Sequence, residues 1–207
     1  MREIKSHYYK DAAERFNATT RGFVMTVIQD HGTYRHLQFK HPENGIYRFE
    51  LITWPGHLAI TGDVAPYAFA RSEDMFEFFE AGVDINPGYW AEKLIAENPR
   101  SPHKGWSTEK FRELVTEAVA EQIEDLDPDE QGEVWEAVND ELLEEGDFED
   151  TARLALDTWR HDVVSFDDVW EWDMRDWTWS YLWSLCAIRA GISEYRRQQL
   201  APVAAAA

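Results

Sequence analysis

Between residues 22 and 70 apolar and polar side chains alternate with a period of two, the spacing of a strand with one face buried. The runs "FVMTVIQD", "TYRHLQFK", "IYRFELITW" and "HLAITGD" are rich in β-branched and aromatic residues. They are separated by the turn signals "DHG", "PENG" and "WPG". In the last of these Pro55 pre-sets φ and Gly56 tolerates a positive φ, so Trp54 and His57 should flank a tight turn. The pattern predicts an antiparallel meander of four or five strands, preceded by a helix, over residues 1–72.

After residue 72 the period becomes helical. "SEDMFEFFEAG" reads as a short helix and "NPGYWAEKLIAEN" as another, beginning after Pro87. In "STEKFRELVTEAVAEQIEDL" Phe111, Leu114, Val115, Ala118, Val119, Ile123 and Leu126 share one face and the acids lie opposite, an amphipathic helix. "PDEQGEVWEAVNDELLEEG" repeats this with Val134, Trp135, Val138 and Leu142. "DFEDTARLALDTW" does so with Phe148, Ala152, Ala155, Leu156 and Trp159. A final helix is predicted over "WTWSYLWSLCAIRAGISEYRR", and the closing "APVAAAA", residues 201–207, reads as a disordered tail. The expected fold class is α+β: a small antiparallel sheet, then an acidic and mainly helical region over residues 73–200, packed on the sheet or following it.

Composition narrows the class of protein. With 44% hydrophobic and 14% aromatic residues the chain can bury a core and is not a disordered acidic segment. A formal charge of -20 opposes direct binding to DNA or to anionic membranes and favours a basic partner. That charge is localised: residues 1–110 sum to -2, residues 111–180 to -20 and residues 181–207 to +2. The single cysteine, Cys186, allows no intramolecular disulfide and fits a reducing compartment. No apolar run is long enough to span a bilayer, since "WTWSYLWSLCAIRAG" is short and contains Arg189. A cytoplasmic location is expected.

The stretch "DLDPDEQGEVWE", residues 125–136, raises the possibility of a calcium loop. Asp125, Asp127, Asp129 and Glu136 occupy positions 1, 3, 5 and 12 of an EF-hand. The sixth position, where the sharp turn needs glycine, is Glu130, and Pro128 sits awkwardly at the fourth. A helix start explains the segment better: Asp127 caps, Pro128 takes the first helical position, and Asp129 and Glu130 face the positive end of the helix dipole. No cofactor and no metal ligand is assigned.

Other catalytic patterns lack their parts. The chain has no Walker loop, paired-glycine dinucleotide fingerprint, HExxH, CxxC pair or Gly-x-Ser-x-Gly elbow. His31, His36 and His41 recur every five residues, an odd spacing that sends neighbours on a meander to opposite faces or into turns. No catalytic residue is assigned.

Between residues 121 and 150 there are fifteen acids and no lysine or arginine. Surface helices ordinarily interleave both signs and gain a few tenths of a kcal/mol per pair, so an all-acid pair of helices forgoes stability. One physical reason is imitation of nucleic acid, whose duplex carries one negative charge per ~1.7 Å of axis. The candidate partner-binding residues are Glu121, Glu124, Asp125, Asp129, Glu130, Glu133, Glu136, Asp140, Glu141, Glu144 and Glu145. Tryptophan supplies a second feature, because six of ten fall between Trp159 and Trp183. Core packing accounts for such a cluster, yet exposed tryptophans also anchor interfaces, so Trp170, Trp172 and Trp177 join the candidates.

The stretch "FELITWPGHLAITGD", residues 49–63, continuing through "YAFARSEDMFEFF" and "INPGYWAEKL", resembles uncharacterised proteins that recur in bacteriophage and prophage genomes. The resemblance covers roughly residues 20–98. It implies a phage-related origin and a bacterial cytoplasm, and transfers no catalytic residue. For an acidic phage accessory protein it suggests counter-defence of the anti-CRISPR or anti-restriction type. Three readings follow: a binding protein that blocks the basic groove of a host defence or nucleic-acid-handling protein, a carboxylate-metal enzyme of nucleic-acid or nucleotide metabolism, and a phage regulator whose meander, with Arg35, His36 and Arg48, binds RNA or a small ligand.

Overall fold

The computed structural model describes residues 9–200. The segment read as a tail, residues 201–207, lies outside them. The chain is α+β and divides into two compact units, one reaching to His103 and resuming at Trp177, the other Lys104–Asp176.

The first unit opens with α1 (Lys10–Thr19) and continues as an unbroken antiparallel meander: β1 (Val24–His31), β2 (Tyr34–Lys40), β3 (Phe49–Trp54), β4 (His57–Gly62), β5 (Tyr67–Ala70). Alternation does what the sequence predicts: Leu37, Phe39, Phe49, Leu51, Leu58, Ile60, Tyr67 and Phe69 all point to one face and are buried. Trp54 pairs with His57 across the β3–β4 turn, their rings stacked at 4.9 Å, and Gly56 takes φ 79°. A bulge between Val27 and Gln29 leaves Ile28 without a partner on β2.

Two helices, α2 (Met75–Glu80) and α3 (Pro87–Ala91), lead to a sixth strand, β6 (Leu94–Glu97), paired with β5. This corrects the helix expected over residues 86–98. A helix does begin here, with Asn86 as its cap and Pro87 as its first residue, but it lasts five residues. The free edge of β5 then recruits Leu94, Ala96 and Glu97, which face Phe69, Ala68 and Tyr67. Pairing with that edge overrides the helical propensity of "AEKLIAE".

The second unit begins with β7 (Lys104–Trp106) and holds α4 (Thr108–Gln122), α5 (Pro128–Glu141), a 3-10 turn (Leu143–Asp147) and α6 (Glu149–Thr158). Its core is Phe111, Val115, Val119 and Ile123 against Val134, Val138 and Leu142, with Ala152 and Leu156 from α6 and Val164, Val169 and Met174 from the segment that follows. The i, i+4 spacing on α4 and α5 produces this core directly. Phe148 was assigned to the apolar face and is instead exposed, since it precedes the first helical turn of α6. The chain leaves through β8 (Arg175–Trp177), which pairs with β7.

The last helix, α7 (Trp179–Leu200), returns to the first unit and lies on the buried face of the sheet. Trp177 therefore belongs to a strand, not to this helix. α7 is apolar nearly all round because α1 and α2 also pack on it: Trp183 meets Phe16 edge-on at 5.2 Å and Tyr195 meets Phe76 at 5.4 Å. The boundary expected near residue 72 is thus not where the compact units divide. α2, α3, β6 and α7 share the core of the sheet, while the acidic helices enclose a core of their own.

Candidate functional site

The division between units is also a division of charge. Lys104–Asp176 carries 25 acids against six Lys and Arg, a net -19, and the rest of the chain nets -1. Within it, α5 starts as its sequence dictates. The Asp127 carboxylate accepts from the backbone N–H groups of Asp129 and Glu130, both at 3.0 Å, and Glu130 Oε2 accepts from Asp127 N–H at 3.3 Å. This reciprocal cap turns the carboxylate of Asp127, the third position of the supposed calcium loop, onto the backbone of α5. Gln131 Nε2 donates to the carbonyls of Ile123 and Leu126, tying the connection from α4 onto α5.

Glu121 stands on the last turn of α4, Glu124 and Asp125 in the connection, Asp129, Glu130, Glu133, Glu136, Asp140 and Glu141 on α5, and Glu144 and Glu145 in the 3-10 turn. All are exposed. On α5, Asp129, Glu133, Glu136 and Asp140 follow i, i+4, i+7, i+11 and form one stripe opposite Val134 and Val138. Of the fifteen acids in residues 121–150, only Glu149 joins an ion pair among the described residues, with Arg153 at 3.1 Å and Arg175 at 3.2 Å. Glu141 accepts from the Trp159 indole N–H at 2.7 Å. α5 therefore presents six carboxylates along 14 residues. At ~1.5 Å per residue that is one charge per ~3.5 Å of axis, close to the ~3.4 Å spacing of phosphates along one DNA strand.

The three candidate tryptophans are not brought together. Trp172 packs into the core of the second unit with its ring 5.9 Å from Phe166, and Trp177 lies in the first unit, 5.5 Å from Tyr181. Trp170 is 65% exposed.

The residues of the other two readings are placed as follows. Arg35 is 7% exposed and forms a bidentate pair with Asp74 at 2.8 and 2.9 Å, its guanidinium over the Phe76 ring. Burial opposes the Asp74 charge, but the hydrogen bonds from Arg35 and from Phe76 N–H outweigh it and hold the carboxyl below the usual range. His36 pairs with Glu50 at 2.7 Å and Arg48 with Asp63 at 3.3 Å. Each of these three side chains has a carboxylate partner within the first unit. Among the described residues no three His, Cys, Asp or Glu side chains gather as a metal site. His31 ends β1, His36 lies mid-strand on β2, and His41 follows β2 beside Gly22. A cleft of about 570 Å³ in the first unit is lined by Phe78, Tyr89 and Trp90, with Asp84 its single carboxylate. Sequence reasoning missed the Arg35–Asp74 pair. Asp74 three residues before Glu77 marks a helix start, and no local pattern in the sequence joins that cap to Arg35 on β2.

Cys186 is buried on α7, and burial pushes its thiol up to about 12. No helix among the described residues is long and apolar enough to cross a membrane. Comparison with protein-family models, with curated proteins and with solved structures returns no match.

Proposed function

We propose that the protein acts by binding rather than by catalysis, and that its acidic unit occupies a basic groove built for nucleic acid on a host defence or nucleic-acid-handling protein. The observation that carries this reading is the confinement of -19 of the net -20 to Lys104–Asp176, on helices whose acids are almost all unpaired. Like charges fixed on a rigid frame destabilise that frame and offer a basic partner a preorganised surface, so little ordering opposes the encounter. The charge spacing on α5 supports imitation of a nucleic-acid strand over a merely acidic surface. The resemblance of residues 49–63 and their continuation to phage and prophage proteins supports an origin in phage counter-defence, of the anti-CRISPR or anti-restriction type, acting in the bacterial cytoplasm.

The test is a pull-down from phage-infected bacteria with wild-type protein and a variant carrying Glu133→Lys, Glu136→Lys, Asp140→Lys and Glu144→Lys. The proposal expects a basic nucleic-acid-binding protein with the wild type and its loss with the variant, while reversal of four acids in the first unit leaves capture intact. Equal capture by both reversed proteins would overturn it. Metal-dependent cleavage of DNA, RNA or a nucleotide, abolished by one substitution, would replace it with an enzymatic reading.

A further inference from the structure

We propose that Trp170 is the anchor of this interface and receives an arginine side chain of the partner, an inference that rests on the acidic unit binding a basic protein. An indole is among the largest apolar groups a chain can bury, and leaving it in water forgoes that stabilisation. Trp170 is 65% exposed even though Val169 and Met174, on either side of it, are fully committed to the core. Its exposure is imposed by the fold.

Arg153 of α6 holds the loop in place. Its Nη1 donates to the carbonyl of Val169 at 2.9 Å and its Nη2 to that of Trp172 at 3.3 Å, so one mostly buried guanidinium grips the backbone on both sides of Trp170. Nε is bound to Glu149, and the guanidinium carbon lies 5.8 Å from the centre of the Trp170 ring. Asp168 takes a positive φ of 52° to make the turn, closed by Glu171 N–H donating to the Asp168 carbonyl at 2.8 Å. A ring mounted on a fixed loop loses little freedom when it is covered, which is what an interface anchor requires.

The ring's surroundings select the occupant. Asp167, Asp168 and Glu171 are its exposed neighbours in the chain, and none of them joins an ion pair among the described residues. A cation set on the open side of the indole gains the ring quadrupole and the field of these carboxylates together. A guanidinium stacks flat on the ring and can still donate to a carboxylate from its edge, whereas an ammonium is a compact, strongly hydrated point charge. The net -19 of the unit opposes a phosphate or an anionic lipid in the same place. Arginine on a protein surface fits both the ring and the charge.

Labelled oligoarginine and oligolysine of equal length, titrated into the intact protein at low and physiological salt, separate the ring from the charge. Wild type should bind the arginine peptide about fivefold more tightly than the lysine peptide, the difference that a cation–π contact of roughly 1 kcal/mol makes. Trp170→Ala should cut that preference sharply with little change in lysine-peptide affinity, and Trp170→Phe should keep more of it. The four-lysine variant on α5 and the 3-10 turn should weaken both peptides together and preserve their ratio. Equal binding of the two peptides by wild type, or an unchanged ratio in Trp170→Ala, would overturn the role of Trp170 and leave the acidic interface standing. Failure of wild type to bind either peptide at low salt would overturn both.

Discussion

Gly191 sets how closely α7 approaches the sheet. A Cβ there would lie 2.6 Å from Leu51 Cδ1 and 3.0 Å from Phe39 Cζ, both in fully buried side chains. Gly191→Ala should cost about 1–3 kcal/mol through overpacking, despite the better helix propensity of alanine, and chemical denaturation would read the loss. Asp168 makes the opposite case: at φ 52° its side chain carries a left-handed backbone that glycine adopts freely. Asp168→Gly should leave stability unchanged or higher by up to about 1 kcal/mol, and Asp168→Val should lower it, both measurable by denaturant midpoint. Cys186 was legible from sequence as a buried hydrophobe because its neighbours Leu185 and Ile188 are apolar. With its thiol pushed up to about 12, native protein should resist alkylation that proceeds at once in denaturant. Which tryptophans face water was not legible. Trp170 and Trp172 are two residues apart in one irregular loop, held by Arg153 on the carbonyls of Val169 and Trp172 and by the turn at Asp168, contacts that no local pattern announces.

Elements were read correctly where a single period ran long enough to fix a face. Strands β2 to β5 and the helices α4, α5 and α6 carry their burial pattern in the sequence, whereas β1 buries only Met25 and leaves Val24, Val27 and Ile28 exposed, and the Asp127–Pro128 cap fixes the start of α5 to the residue. Asp127→Ala should cost about 1 kcal/mol. A rise of several degrees in melting temperature on adding millimolar calcium, lost in Glu136→Gln, would contradict the reading of this segment as a helix start. The sixth strand escaped sequence reading because four residues, "LIAE", hold no period of their own and become a strand by meeting the edge of β5. On the outward side of the sheet, Glu50 receives hydrogen bonds from Gln38 and His36, which hold its carboxyl below the ordinary 4.5. A depressed carboxyl stabilises the fold above its unfolded value and loses that contribution as pH falls through its lower, folded value. Acidification below about 4.5 should therefore cost the first unit stability, and Glu50→Gln should flatten that part of the curve, as followed by hydrogen exchange in β2 and β3.

Over the whole molecule, the acidic half and the sheet half were both visible in sequence, but their border was not. The charge step at residue 111 marks the acidic unit within a few positions, whereas the return of α7 to the sheet is a long-range pairing that no local pattern announces. A unit with net -19 and few internal ion pairs is stabilised by salt, since exposed like charges are screened beyond about 8 Å at physiological ionic strength. Amide exchange in α4, α5 and α6 should slow as salt rises, with little change in the strands. Salt should act on binding in the opposite direction. The central claim is tested most directly by titrating the captured partner with wild-type protein at two salt concentrations, with and without competing duplex DNA. The account predicts affinity that falls steeply with salt, displacement by DNA and loss on reversal of Glu133, Glu136, Asp140 and Glu144. A tight, salt-insensitive complex that forms alongside DNA and survives the reversal would contradict it.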